Sequence, residues 1–234
     1  IVPSHFTPLA APGMVALGLK WMWNSGSPFY VKPRLDADLL DWGLKFWRAA
    51  NAAHVNRSAP LLRDLHFASR ACFEELAAAL QNEFNLVQHG LLMLCQTRHA
   101  LAEESATAKR ARALGISAEI LDPGQAALLD PNVRMNIAGA IYYPKDCHLI
   151  PGRLMEALKQ RLEQLNVRIV CDTAVTGWRV EDGKIEAAKT SNAEFRADEY
   201  VLCGGCWSSS LVRDLQLKLP MQAGKGYSLT LNNP

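Results

Sequence analysis

Helical and strand periods alternate over residues 151–215, and this alternation limits the folds that the chain can adopt. Residues 151–165 carry leucines at every fourth position, which predicts an amphipathic helix. Short apolar runs at 167–171 and 200–203 predict strands, and the second run leads into a helical pattern over 208–215. Strands that alternate with helices in this way are typical of α/β proteins. We therefore expect part of a parallel sheet with helices packed on it.

A hairpin interrupts this alternation. The runs 175–180 and 184–189 flank Asp182-Gly183, a dipeptide that favours the tight turn of a β-hairpin. Asn166 is expected to end the preceding helix, and Gly204-Gly205 follows the second strand of the alternation.

The first 147 residues predict helices and strands without such an alternation. Asp36 is the expected N-cap of one helix, Ser58 is the expected N-cap of a second, and Pro60 falls in the first turn of that second helix. Gly115 is expected to end a third helix. The predicted helices are 36–50, 58–82, 98–114 and 122–129, and the predicted strands are 87–95, 118–121 and 138–143. Residues 1–34 are expected to be irregular with short helical pieces.

Composition narrows the class of protein. The 234 residues are 49% hydrophobic and 21% charged, with a net charge of +2, which is too small to predict nucleic-acid binding. No apolar run approaches the roughly 20 residues of a membrane span. The six scattered cysteines suit reduced thiols in the cytoplasm. The chain begins at Ile1, and the strand-like run Tyr227–Leu231 lies near its end, so we expect an internal piece of a longer protein.

The most distinctive local motif is Cys203-Gly204-Gly205-Cys206. A thioredoxin-type redox pair and half of a zinc site are two interpretations, but neither the thioredoxin framework nor a second set of metal ligands is evident. We prefer a third: the glycines let backbone approach a ligand closely, and the cysteines are small apolar fillers. We predict no metal site. The chain has no GxGxxG and no GxSxG motif. The residues alone thus indicate an α/β (α+β) protein with a glycine turn suited to a ligand.

Three stretches together resemble one family. Residues 137–158 (IAGAIYYPKDCHLIPGRLMEAL), 167–208 and 215–231 (LQLKLPMQAGKGYSLTL) resemble successive motifs of the D-amino-acid oxidase superfamily. The middle stretch contributes Thr173-Ala174-Val175 and the segment from Asp198 to Ser208. Residues 1–14 and the tryptophan-rich stretch to 47 resemble the bacterial D-amino-acid dehydrogenases within that superfamily.

The resemblance implies FAD as cofactor and two domains interleaved in sequence. Residues 1–147 would form a segment of the substrate domain, with a mixed sheet and a helical insertion. Residues 148–218 would belong to a Rossmann-like FAD-binding domain, and residues 219–234 would return to the substrate domain. The GxGxxG unit that binds the FAD pyrophosphate in the family is expected before Ile1, and the segment that binds the substrate carboxylate is expected after Pro234.

The resemblance also assigns site residues. Val175 would read the adenine edge through its backbone, and Gly204 and Gly205 would lie beside the ribose and pyrophosphate. The motif match adds Trp207 to this cofactor-binding set. The alternatives are a strand core residue at Val175 and a turn without a ligand at the glycines. No catalytic residue is established, but His5 is a candidate, because the family's chain passes beside the flavin ring just before the position of Ile1. A histidine at a loop surface is the alternative.

The implied activity is oxidation of a D-amino acid, with hydride passing from its Cα to the flavin and electrons passing to a quinone or another respiratory acceptor. A glycine- or sarcosine-oxidase-like enzyme that uses oxygen and a hydroxyproline dehydrogenase are alternatives, as is an inactive folded piece without FAD. Residues 13–23, beside Lys20, Lys32 and Arg34, predict peripheral contact with the inner membrane. The alternative is that they pack against the 36–50 helix.

Overall fold

The computed structural model describes residues 1–22, 26, 34 and 36–228, which form two compact units. One comprises Ile1–Ala16 and Ala49–Val167, and the other comprises Leu17–Arg48 and the described part of Arg168–Pro234. The assignment of segments to substrate and FAD-binding domains stays a prediction. The predicted Trp23 and Lys32 of the membrane-contact segment, and residues 229–231 of the predicted last strand, lie outside the described residues.

The elements follow in chain order. The helices are α1 (Met14–Trp21), α2 (Ala37–Ala49), α3 (Ala52–Ala79), α4 (Arg98–Ala113), α5 (Pro123–Leu129), α6 (Pro151–Gln164) and α7 (Ser208–Leu211). The strands are β1 (Leu91–Cys95), β2 (Glu119–Leu121), β3 (Gly139–Tyr143), β4 (Val175–Glu181), β5 (Lys184–Thr190) and β6 (Glu194–Phe195). Turns of 3-10 helix, Gly205–Trp207 and Val212–Leu215, flank α7. Within the described part of the chain, no helix is long and apolar enough to cross a membrane.

The first unit is built on an antiparallel sheet in the order β1-β3-β2. One sheet face, with Ile141 and Tyr143 fully covered, packs in one core cluster with Ala108 and Ala111 of α4. The alanines have small side chains, so the helix approaches the sheet closely. Phe6, from the start of the chain, is buried in the same cluster. The N-terminal segment is therefore part of this core.

Most helix ends lie where the sequence predicts them. The Asp36 carboxylate accepts from the N–H groups of Asp38 and Leu39, at 2.9 and 3.3 Å, and so caps α2. Asp122 forms a complete capping box at the start of α5. Gly115 and Asn166, with φ of 79° and 55°, follow the ends of α4 and α6. These left-handed residues stop each helix because they cannot continue its backbone geometry.

The predicted start of α3 is wrong. The helix begins at Ala52, and Asn51 is its N-cap, accepting from His54 N at 2.9 Å. Ser58 and Pro60 therefore lie inside the helix rather than in its cap and first turn. A proline inside a helix removes one backbone hydrogen bond, and the rest of a 28-residue helix compensates for that loss.

The second unit contains the predicted hairpin. Strands β4 and β5 pair antiparallel, and both turn residues, Asp182 at φ 49° and Gly183 at φ 75°, are left-handed. This conformation is that of the type I′ turn. The short strand β6, which the sequence did not predict, extends the sheet beside β5. Trp178 covers the hairpin: its Nε1 donates to Leu211 O at 2.9 Å, and its ring meets Tyr200 edge-on at 5.8 Å.

Two predicted strands, 167–171 and 200–203, are not strands in the structure. Both three-stranded sheets of the described residues are antiparallel, so the expected parallel pairing is absent there. An apolar strand of a parallel sheet depends on neighbours that hydrogen-bond its backbone and cover both its faces. Here Ile169 and Val170 lie exposed, and Val201 is 86% exposed. The predicted helix over 208–215 is confirmed as α7 and its following 3-10 turn.

Candidate functional site

The predicted cofactor-binding residues all lie in the second unit, on two elements that pack together. Val175 is the first residue of β4, and the glycine turn leads into α7. Contact between these elements runs through Trp178, which donates to Leu211, and through Gly177, where an added Cβ would lie 2.8 Å from Asp214 Oδ2. The strand that starts at Val175 and the helical segment after the turn therefore form one packed substructure.

The two glycines of the turn have different surroundings. Gly204 has an ordinary φ of −80°, and a Cβ there would lie 3.1 Å from Ser208 Oγ. Its carbonyl accepts from Trp207 N at 3.1 Å. Gly205 is left-handed at φ 53°, and no atom lies within 4 Å of a Cβ added to it. Gly204 is thus packed against the protein, whereas Gly205 faces open space.

These residues fit part of an FAD-binding surface. Gly205 leaves backbone accessible on its open side, and a side chain there would fill that space. Trp207, which is 74% exposed, and the exposed Val175 offer apolar surface beside polar backbone. A flat ring and a ribose suit such a surface. If FAD binds here, Val175, Gly204, Gly205 and Trp207 would hold its adenosine side, but these assignments stay predictions. The glycine-rich phosphate fingerprint is not in this sequence.

The cysteines do not indicate a metal or disulfide site. All six are free thiols, with Cys203 exposed and Cys206 half-buried. No cluster of three or more metal-ligating side chains occurs within the described ranges. Burial raises the pKa of the Cys95 and Cys147 thiols, which keeps them protonated and weakly reactive.

A shallow cleft beside the hairpin is a weaker candidate. Glu186 and Arg196, two of the residues that line it, form an ion pair at 3.9 Å. The Tyr200 hydroxyl, also in the lining, donates to Glu186 O and accepts from Ala197 N, both at 3.0 Å. The lining also includes Lys184, Asp198 and Glu199, so it mixes charges of both signs, and it includes none of the predicted cofactor-binding residues.

His5 lies on a tight turn of the first unit. His5 N donates to Val2 O at 2.9 Å, and the neighbouring Pro3 and Phe6 are buried. The His5 residue itself is exposed. Its backbone is thus fixed while its imidazole is free to meet solvent or a ligand, and its predicted place beside the flavin stays a prediction.

Asp146 is a buried carboxylate that the sequence reasoning missed. It is 2% exposed, and its two carboxylate oxygens accept from Ser4 N at 3.0 Å and from Ser4 Oγ at 2.6 Å. Next to it, Ile1 and Cys147 exchange backbone hydrogen bonds of 2.9 Å in both directions. The available signal was its place in the motif Tyr-Pro-Lys-Asp-Cys-His, residues 143–148. A buried carboxylate cannot be told from a surface one without its distant partner.

Comparison with known proteins defines the class. The family profile described as DAO, FAD dependent oxidoreductase, matches residues 35–234. The chain therefore belongs to the DAO family of FAD-dependent oxidoreductases. It is 30% identical to a protein named D-amino acid dehydrogenase from Vibrio atlanticus (strain LGP32), over 97% of this chain and 55% of that protein. It is 31% identical to a protein of the same name from Cereibacter sphaeroides (strain ATCC 17029 / ATH 2.4.9), over 99% of this chain and 54% of that protein.

Two solved structures share the fold over about two thirds of this chain. Glycine oxidase from Bacillus cereus ATCC 14579 is similar with a TM-score of 0.60 at 26% identity, covering 65% of this chain and 43% of that one. Glycine oxidase from Geobacillus kaustophilus gives a TM-score of 0.61 at 25% identity, covering 68% and 44%. The chain thus spans about half the length of the curated relatives it matches and somewhat less of these structures.

Proposed function

We propose that the whole protein oxidises a D-amino acid to its imino acid and passes the electrons to a quinone or another respiratory acceptor. The observation that carries this proposal is the likeness to proteins named D-amino acid dehydrogenase over 97–99% of the chain. FAD, when bound, supplies the hydride acceptor. The family match supports this cofactor, and the open side of Gly205 is compatible with it.

The roles proposed for this chain's residues come from the family motifs that they match. The backbone at Val175, at the start of β4, would hydrogen-bond the adenine edge, and Gly205 would let the ribose and pyrophosphate approach. His5 would orient the substrate or handle a proton, because an imidazole ring can both donate and accept hydrogen bonds. Hydride transfer needs no protein nucleophile, so these roles are binding, orientation and proton transfer.

The substrate and the cofactor can be tested together in the purified full-length protein. We expect it to carry flavin, and we expect D-amino acids to bleach the flavin absorbance without oxygen. L-amino acids of the same side chain are the matched controls. Bleaching by the L-enantiomers alone, or by none of these substrates, would contradict the proposal.

A glycine-oxidase-like activity is the second candidate, and the likeness to two solved glycine oxidases favours it. The electron acceptor distinguishes the two functions. We expect reduction of an artificial dye to be fast and hydrogen peroxide formation in air to be slow. Rapid peroxide formation with glycine or sarcosine as substrate would favour the second candidate instead.

We also propose that the protein contacts the membrane surface, where a quinone acceptor is dissolved. The support lies in two helices of the second unit. Leu40, Leu44 and Trp47 form an exposed apolar face of α2, and Leu19 of α1 is exposed beside Lys20. A helix with an apolar face and basic neighbours is suited to lie at a membrane surface. Arg34 contributes less, because it pairs with Asp36 at 3.1 Å and donates to Gln222 at 2.9 Å.

A further inference from the structure

Asp146 is a buried carboxylate that the proposed chemistry does not use. One carboxylate oxygen accepts from the backbone N–H of Ser4, and the other accepts from the Ser4 hydroxyl. A carboxylate removed from water is costly unless hydrogen bonds replace its hydration. The pairing with Ser4 therefore decides where the first residues of the chain can lie.

Two other segments hold the turn that carries Asp146. Gly90 N donates to Asp146 O at 3.1 Å, and Arg70 Nη1, from α3, donates to Lys145 O at 2.6 Å. Gly90 has φ 80°, and a Cβ there would lie 2.5 Å from Tyr142 Cε2. The close packing and the two hydrogen bonds leave the turn little freedom to move, so Asp146 is a fixed acceptor.

Ser4 transmits this constraint to its neighbour. The backbone reverses between Val2 and His5, and the buried Pro3 and Phe6 fix the turn on both sides of Ser4 and His5. The His5 imidazole is attached to this turn, and the hydrogen bonds from Ser4 to Asp146 hold the turn in place. Where that imidazole can reach is thus determined by a carboxylate 141 positions further along the chain.

We propose that Asp146 is a positioning residue: through Ser4 it fixes the turn that carries His5, and so it sets where the His5 imidazole stands relative to the substrate. This inference rests on the proposed function, because it assigns His5 to the active site of the oxidoreductase.

The first test needs no turnover. In full-length protein with isotope-labelled histidine, the ring C–H signal of His5 is identified by its loss in His5→Ala. Asp146→Ala removes both acceptors of Ser4, so we expect the His5 signal to shift and broaden. Ser4→Ala removes one of the two hydrogen bonds and is expected to give a smaller shift. A His5 signal in Asp146→Ala that overlays the wild-type signal would overturn the proposal.

Asp122→Ala is the matched control. Asp122 also accepts from a backbone N–H, that of Gln125 at 2.8 Å, and it caps α5 in the same unit. Its replacement is expected to lower stability and to leave the His5 signal in place. Equal displacement of the signal by both variants would mean general loosening and would also overturn the proposal.

The second test is a kinetic cycle with the preferred D-amino acid. Asp146→Ala is expected to lower kcat about tenfold with little change in KM, which is less than the roughly 10²–10⁴-fold contribution of a group that itself transfers the proton. The double variant with His5→Ala should be no slower than His5→Ala alone, because both changes remove one shared function.

The outcomes separate the inference from the proposed function. If the effects of the Asp146 and His5 substitutions on kcat multiply, the positioning role is overturned. It is also overturned if His5→Ala leaves kcat unchanged. In both cases the D-amino-acid activity of the wild-type protein still stands. A wild-type protein without that activity would contradict the proposed function instead, and the His5 signal would then decide whether Asp146 fixes the turn.

Discussion

Gly205 and Gly183 of the second unit both have a left-handed backbone conformation, but we expect FAD to lie beside Gly205 only. Gly205 and Gly183 both have positive φ, 53° and 75°, and neither has an atom within 4 Å of an added Cβ. Asparagine tolerates this conformation better than other residues. We expect Gly205→Asn to lower the flavin content of the purified full-length protein severely, because its side chain would occupy the space of the cofactor.

Gly183→Asn is the control, because it places the same side chain in the same conformation on the hairpin turn. Its flavin content, measured as the ratio of flavin to protein absorbance, should equal that of wild type. Full flavin content in Gly205→Asn would show that the glycine turn does not face FAD.

Single residues were predictable where their partners are close in sequence. Asp36, Asp122 and Gly115 act within four residues of their own positions, so the local pattern was enough. Asp146 was not predictable, because its partner Ser4 is 142 residues away. The different surroundings of Gly204 and Gly205 also depend on tertiary packing, which a Gly-Gly sequence does not disclose.

Among the helices, the start of α3 gives a direct stability test. Asn51 caps the helix, whereas Ser58 lies in its second turn with its hydroxyl 3.4 Å from His54 Nδ1. Loss of an N-cap costs about 1 kcal/mol. We expect Asn51→Ala to lower the free energy of unfolding by about that amount and Ser58→Ala to lower it much less, measured by urea denaturation. A larger loss of stability in Ser58→Ala than in Asn51→Ala would indicate that the helix begins at Ser58.

The exposed face of α2 can be tested against an exposed leucine elsewhere. Leu40 on α2 and Leu65 on α3 are 65% and 64% exposed. An inserted leucine contributes about 1.5–3 kcal/mol, so Leu40→Glu should weaken binding to anionic lipid vesicles by roughly tenfold or more. Leu65→Glu should not change it. Equal vesicle co-sedimentation of the two variants and wild type would contradict a membrane role for α2.

Secondary structure was predictable where apolar residues repeat at a regular spacing within one element or where characteristic turn residues end it. The helices α4 and α6 and the β4–β5 hairpin follow from apolar spacing and turn residues in the sequence. The runs 167–171 and 200–203 have the composition of strands, but strands form only by pairing, and no described segment pairs with them. Composition alone could not supply that information.

For the whole molecule, the sequence indicated the family and the mixture of helices and sheets, and the family match confirmed the first. The division into two units was not predictable from periodicity, because each unit joins segments that are distant in sequence. The candidate cofactor surface was only partly predictable: the motif proposes its residues, whereas only the structure shows that β4 packs on the helical segment after the glycine turn.

The hydrogen bonds between the first residues and residues 146–147 have a consequence for biosynthesis. Ser4 cannot reach its acceptor until Asp146 has been translated, 142 residues later. At about 5–20 residues per second, that interval is roughly 7–30 s. During this time Pro3 and Phe6, which are buried in the finished protein, have no complete core to enter. Residues 1–6 of the nascent chain are therefore exposed to chaperones and proteases on the ribosome until the Tyr-Pro-Lys-Asp-Cys-His turn has emerged.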